Sequence, residues 1–137
     1  MSARSEPADP RRLRFARARR VVRGADFRRA YQHGSRARGE VLIVVAVAND
    51  LDHARLGLSV GRRIWKRAVR RNRVRRIFRE AFRLAQHELP PGFDLILIPA
   101  APRLDPRLEP TRAELVRLAR LAAERFRAKA EARRPSP

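Results

Sequence analysis

The sequence predicts a single α+β domain, an α/β sandwich in which helices pack against one small sheet. Three observations support this fold class: 137 residues suffice for one domain, 44% of them are hydrophobic, and the apolar residues recur with both strand and helix periods. The predicted order is α-β-β-α-β-α, with a further short strand at residues 35–39. We expect a domain at 21–130, a flexible basic arm at 1–20 and a flexible tail at 131–137.

Three apolar runs are predicted to be strands. Residues 40–48 are rich in β-branched side chains and form too short a run for a convincing helix. Residues 55–60 alternate between apolar and polar or small side chains, and the turn at 49–53 predicts that these two strands pair as a hairpin. Residues 93–98 form the third strand, bounded by proline on both sides.

Three segments are predicted to be helices. The first is short, begins near Asp26 and ends at Gly34. In the second, apolar residues recur at helical spacing and form one stripe: Val74, Ile77, Phe78, Ala81, Leu84 and Ala85. The third is predicted to begin with a capping box, in which Thr111 is the N-cap and Glu114 stands three residues later. Its expected buried edge is Leu115, Leu118, Ala119, Ala122 and Phe126, and the chain should fray beyond Ala130.

The chain is strongly basic, with 34 Lys and Arg against 14 Asp and Glu and a formal net charge of +20. Residues 55–79 hold eleven of the basic residues and no acid, and such a density of like charge is best tolerated beside a polyanion. Nucleic acid and a membrane surface are both polyanions. We favour nucleic acid because the basic helix has an apolar face suited to a sheet.

The basic face of the second helix is the strongest functional signal. Ordinary solvated helix faces mix charges of both signs and gain from i, i+4 ion pairs. Here Arg67, Arg71, Arg75 and Arg79 place like charges at that spacing, which destabilises a free helix. This pattern favours a face that binds phosphates over a merely solvated one.

Other polar and aromatic residues have two interpretations each. Asn72, among the arginines, could cap a turn or could hydrogen-bond a phosphate, a ribose or a base. Phe27 and Tyr31 on the short helix could belong to the core or could line a groove where unpaired nucleotides stack.

Features of a self-sufficient enzyme are lacking in the sequence. The chain has no cysteine, its three histidines are scattered, and it has neither a glycine-rich phosphate loop nor clustered carboxylates. Its longest apolar run is too short to span a bilayer, and residues 1–10 lack the apolar core of a signal peptide, so we expect a cytoplasmic protein.

Several segments resemble the protein subunit of bacterial ribonuclease P, over residues 14–128. The similar segments are 26–34, 56–60, 92–98 and above all 68–83, which contains the triplet Arg71-Asn72-Arg73 with basic and aromatic positions after it. Residues 62–69 depart from the family pattern, since they lack a glycine and are one residue longer.

The resemblance implies a protein cofactor without catalytic residues of its own. In the family, a catalytic RNA removes the 5′ leader of precursor tRNA, using Mg²⁺ that we expect to be held mainly by the RNA and not tightly by the protein. The implied contacts to the catalytic RNA are Arg71, Asn72, Arg73, Arg75, Arg76 and Arg79. Phe27 and Tyr31 would line a cleft for the single-stranded leader, with Arg63 near its edge.

The resemblance also implies the partners and one detail of the fold. The partners would be the ribonuclease P RNA and precursor tRNA, without a membrane or an obligate protein partner. The family has an unusual left-handed β-α-β crossover, against the general right-handed rule. The alternative function is that of a structural RNA-binding protein of the ribosomal type, which would have no role in cleavage.

Overall fold

A computed structural model describes residues 19–21 and 23–133, so most of the predicted arm at 1–20 lies outside the described residues. In chain order the elements are α1 (Gly24–His33), β1 (Ser35–Arg38), β2 (Leu42–Ala48), β3 (Arg55–Leu58), α2 (Ala68–Ala85), a short 3₁₀ helix (Gln86–Glu88), β4 (Phe93–Pro99) and α3 (Leu108–Ala132). The predicted α+β class and order are confirmed, including the extra strand between α1 and β2. None of the helices in the described part of the chain is long and apolar enough to cross a membrane.

The four strands form one mixed sheet in the order β1-β2-β4-β3. β2 is antiparallel to β1 and to β4, whereas β3 runs parallel to β4. The predicted hairpin between residues 40–48 and 55–60 is therefore wrong, because β4 lies between these strands. β4 is buried at nearly every position and takes a central place in the sheet, where both of its edges are hydrogen-bonded. The hairpin that does form joins β1 to β2.

The two faces of the sheet carry cores of different size. α2 and α3 cover one face, and the larger core between them includes Leu42, Leu95, Phe78 and Leu118, all fully buried. α1 covers part of the other face, where Ala30 packs with Val45, Val47 and Ile96 in a smaller core. Since α1 has only ten residues, part of this second face stays uncovered.

The amphipathic pattern of α2 is confirmed at four of its six predicted positions, and Ile77 is only half-buried. Val74, Phe78 and Ala81 are buried as predicted, but Leu84 is 39% exposed, and Phe82 is buried in its place. α3 packs along this side of α2, so the buried arc is wider than one stripe.

The predicted capping box of the last helix is wrong. The helix begins at Leu108, one turn earlier, and the Thr111 hydroxyl donates to the Arg107 carbonyl oxygen over 2.6 Å. The Glu114 carboxylate instead accepts backbone N–H bonds of 2.7–3.0 Å from residues 40–42, at the turn between β1 and β2. It lies so close to Gly39 that a Cβ there would come within 2.4 Å of it. The side chain therefore ties α3 to the sheet.

Candidate nucleic-acid interface

The residues predicted to contact the catalytic RNA all lie on α2, but they do not all project freely from it. Asn72, Arg73, Arg76 and Arg79 are exposed. Arg73 forms an exposed ion pair with Asp105 over 3.1 Å. A pair exposed on both sides is worth little, so an incoming phosphate can compete for Arg73 at low cost.

Arg71 and Arg75 turn back toward the segment that joins β3 to α2. Arg71 donates to the carbonyl oxygens of Trp65 and Lys66 over 2.9 and 2.7 Å. Arg75 donates to the Val60 carbonyl over 2.8 Å and to the Asn72 side-chain oxygen over 3.0 Å. These two arginines thus hold the connecting segment at residues 59–67, and Asn72 orients Arg75 in the free protein.

Positive charge is crowded in the middle of α2. Partial burial lowers the pKa of Arg79 below its ordinary value. The neighbouring charges of Arg75, Arg20 and Arg76 lower the same pKa further. An arginine nevertheless stays charged at neutral pH, so this cluster is a place where a bound anion would relieve repulsion. No local pattern in the sequence marks Arg20, which the fold brings to α2 from a distant part of the chain.

The uncovered part of the second sheet face forms a cleft of about 640 Å³. Its floor includes Ile43 of β2 and Ile98 of β4, and Arg36 and Arg38 of β1 line it together with Arg63. Arg38 is held by a 2.7 Å hydrogen bond to the Ala100 carbonyl oxygen. An apolar floor with arginines around it suits an unpaired nucleotide strand, whose bases need apolar contact and whose phosphates need positive charge.

The two aromatic residues of α1 differ in their surroundings. Tyr31 is 40% exposed, and the Arg36 guanidinium lies 5.9 Å from its ring centroid. Phe27 is partly buried against the smaller core, and a Cβ on Gly57 would come within 3.1 Å of its ring. Phe27 thus packs against the core, whereas the ring of Tyr31 is open, and neither residue lines the cleft itself. A stacking role for the two aromatic residues stays a prediction.

A buried carboxylate joins α1 to the sheet beneath it. Asp94 of β4 is fully buried and accepts two hydrogen bonds of 2.7 Å from Arg55 of β3. Arg29 of α1 donates to the same carboxylate over 3.2 Å and to the Ala48 carbonyl oxygen over 2.5 Å. Asn49 completes the set with a 3.0 Å bond. The network sets where α1 lies relative to β2, β3 and β4. No pattern in the sequence marks Asp94, which is a single acid within the apolar run of residues 93–98.

Metal ligands do not cluster in the described residues. Across 19–21 and 23–133, no three His, Cys, Asp or Glu side chains come together in a way that could hold an ion. His53 and Asp52 form a pair at 2.8 Å in the loop between β2 and β3.

The fold and its surface define the class of protein to which the chain belongs: a small, strongly basic α+β protein with seven arginines on one helix and four more around one cleft. The sequence profile of the ribonuclease P family matches residues 15–123. The chain belongs to the ribonuclease P protein family.

Relatives and solved structures agree with this assignment. The chain is 38% identical over 87 residues to the ribonuclease P protein component of Haemophilus influenzae (strain PittGG), covering 64% of this chain and 72% of that protein. It is 36% identical over 85 residues to the component from Clostridioides difficile, covering 61% and 74%. A mutant Staphylococcus aureus RNase P protein, described as defective in mRNA degradation, matches with a TM-score of 0.67 and 29% identity over 77% of this chain and 89% of that one.

Proposed function

We propose that this protein is the protein cofactor of a bacterial ribonuclease P, and that it helps a catalytic RNA remove the 5′ leader from precursor tRNA in the cytoplasm. The observation that carries the proposal is the pairing of the arginine-rich face of α2 with an arginine-lined cleft on the other face of the sheet. Two separate basic surfaces suit a protein that contacts two RNAs at once. Membership of the family supports the same conclusion.

The role of the protein residues is to bind and to position. Arginines on α2 would neutralise phosphates of the catalytic RNA. The exposed candidates are Arg73, Arg76 and Arg79, and Asn72 is exposed beside them. The cleft would hold the single-stranded leader with Tyr31 beside it and Arg63 at its edge. Mg²⁺, held mainly by the RNA, would supply the hydrolytic chemistry.

The decisive experiment is cleavage of a precursor tRNA by a bacterial ribonuclease P RNA at low magnesium, with and without this protein. We expect correct processing at the mature 5′ end only when both are present, because neutralised phosphates let the RNAs meet with less magnesium. The RNA alone at high magnesium and the protein alone serve as controls. If the protein binds both RNAs without improving cleavage, the proposal fails and a structural RNA-binding role takes its place.

A further inference from the structure

A second cavity, of about 1040 Å³, opens beside the cleft at the start of α2. Six of its ten lining residues are basic: Arg62, Arg63, Lys66, Arg67, Arg71 and Arg103. Its apolar wall includes the indole of Trp65 together with Pro102. Among the described residues that line it, none is acidic. The cavity thus combines an aromatic wall with a high density of positive charge.

The aromatic wall is held rigidly. The Trp65 indole N–H donates to the Leu104 carbonyl oxygen over 2.6 Å, and the Arg70 guanidinium lies 5.3 Å from the ring centroid. The backbone N–H of Arg103 donates to the carbonyl oxygen of Ile64 over 2.6 Å, which fixes the residue before Trp65 as well. A wall set in place before binding loses little entropy when a ligand contacts it.

The cavity adjoins the cleft. The two share four lining residues: Arg62, Arg63, Ile64 and Pro102. A strand that occupies the cleft therefore meets the second cavity within a short distance. Trp65 also lies in the segment where this chain departs from the family pattern, with an extra residue and no glycine.

We propose that the Trp65 cavity binds an unpaired ribonucleotide, with its base against the indole and its phosphates beside Lys66, Arg67 and Arg103. The proposal rests on the proposed function and adds a subsite to it. Stacking on an aromatic side chain tolerates any base, and cations nearby hold the backbone. The nucleotide could come from the leader of precursor tRNA or from the catalytic RNA, since both offer the same chemistry.

The direct test uses the fluorescence of Trp65, which is the single tryptophan of the chain. The full-length protein is titrated with a short single-stranded oligoribonucleotide and, in parallel, with inorganic polyphosphate of the same total charge. We expect saturable quenching by the oligoribonucleotide and little by polyphosphate, because only a base can stack on the indole. Equal responses to both would overturn the proposal.

Variants separate stacking from a structural role of Trp65. By anisotropy of a labelled oligoribonucleotide, Trp65→Leu should weaken binding roughly tenfold. Trp65→Phe keeps a ring but loses the N–H bond to Leu104, and it should keep most of the affinity. If Phe weakens binding as much as Leu does, the role of Trp65 is structural and the proposal is wrong.

The two lysines of the chain provide a matched pair of charge variants. Lys66 lines the cavity, whereas Lys129 lies in the last turn of α3. Lys66→Ala should weaken oligoribonucleotide binding more than Lys129→Ala, although both remove one charge. Equal losses would show that only the overall charge matters, against the proposal.

The source of the nucleotide follows from two further measurements with Trp65→Leu. A loss of affinity for precursor tRNA but not for mature tRNA, both in the presence of catalytic RNA, assigns the cavity to the leader. A loss of affinity for catalytic RNA alone assigns it to that RNA. No loss in either measurement overturns the proposal, while stimulation of cleavage by the wild-type protein would still stand and keep the proposed function.

Discussion

At the scale of single residues, Asp94 is a carboxylate with no exposed surface, contacted by two arginines and one asparagine. Removing one member of a buried charged network leaves the others desolvated and unpaired, which costs about 3–5 kcal/mol for a fully buried pair. The Arg55 and Arg29 side chains are 18% and 37% exposed, so both can recover some hydration. The cost here should therefore fall below that range.

We expect Asp94→Asn to lower the free energy of unfolding by about 2–3 kcal/mol, measured by urea denaturation. The matched control is Asp105→Asn, which removes the same charge from a pair with Arg73 whose side chains are 46% and 59% exposed. That control should cost less than about 1 kcal/mol. Similar losses for both variants would show that the Asp94 network has no special part in holding α1 to the sheet.

The two aromatic residues of α1 lead to a second prediction at this scale. Tyr31→Ala should weaken binding of precursor tRNA more than binding of mature tRNA and leave stability nearly unchanged, because its ring is already 40% exposed. Phe27→Ala should weaken leader binding too, but it should also cost about 2 kcal/mol of stability because the ring packs on the smaller core. An equal loss for precursor and mature tRNA with Tyr31→Ala would count against the cleft as the leader site.

At the scale of elements, the arginines of α2 have two different roles. Its apolar side packs into the larger core, and its arginines divide between contacts within the protein and contacts available to RNA. Glu80, the single acid of this helix, bonds Arg83 one turn away, which lowers the pKa of Glu80 below its ordinary value. Arg73 has only its exposed pair with Asp105, so the repulsion along the rest of the helix is offset mainly by packing.

This division can be tested with two arginine variants of α2. Arg71→Ala should lower the free energy of unfolding by about 1–2 kcal/mol, because it releases the carbonyl oxygens of Trp65 and Lys66. Arg76→Ala should change stability by less than about 0.5 kcal/mol. It should instead weaken RNA binding and lower the slope of log affinity against log salt by about one. An unchanged slope would remove Arg76 from the interface.

At the scale of the whole molecule, the charge of +20 is spread over only 137 residues, and it opposes the compact state. Salt should screen this repulsion, so the urea midpoint should rise as NaCl goes from roughly 0.05 to 0.5 M. RNA affinity should fall over the same range, because counterions released on binding gain less entropy when the surrounding salt is more concentrated. A midpoint that falls with salt would show that attractive ion pairs, and not repulsion, dominate the electrostatics of the fold.

The sequence by itself determined the elements and the chemical character of the surface. Three local patterns carried this information: the β-branched run of β2, the apolar stripe of α2 and the crowding of arginines at 55–79. Each can be read within a short stretch of chain, because secondary structure follows the local spacing of apolar residues. The resemblance to the ribonuclease P family could be read from segments such as 68–83 because their order and spacing are specific. The handedness of the crossover stays a prediction.

The tertiary structure decided how these elements meet. No local pattern placed β4 between β2 and β3, because a strand's partner depends on which edges remain free once the other strands are in place. Likewise Glu114 fits a capping box in sequence but bonds the turn between β1 and β2 in the fold. Arg71 and Arg75 carry the same charge as Arg76 and differ from it only in which carbonyl oxygens lie within reach. The physical reason is that these contacts join residues far apart along the chain, and no local sequence pattern indicates which distant residues will meet.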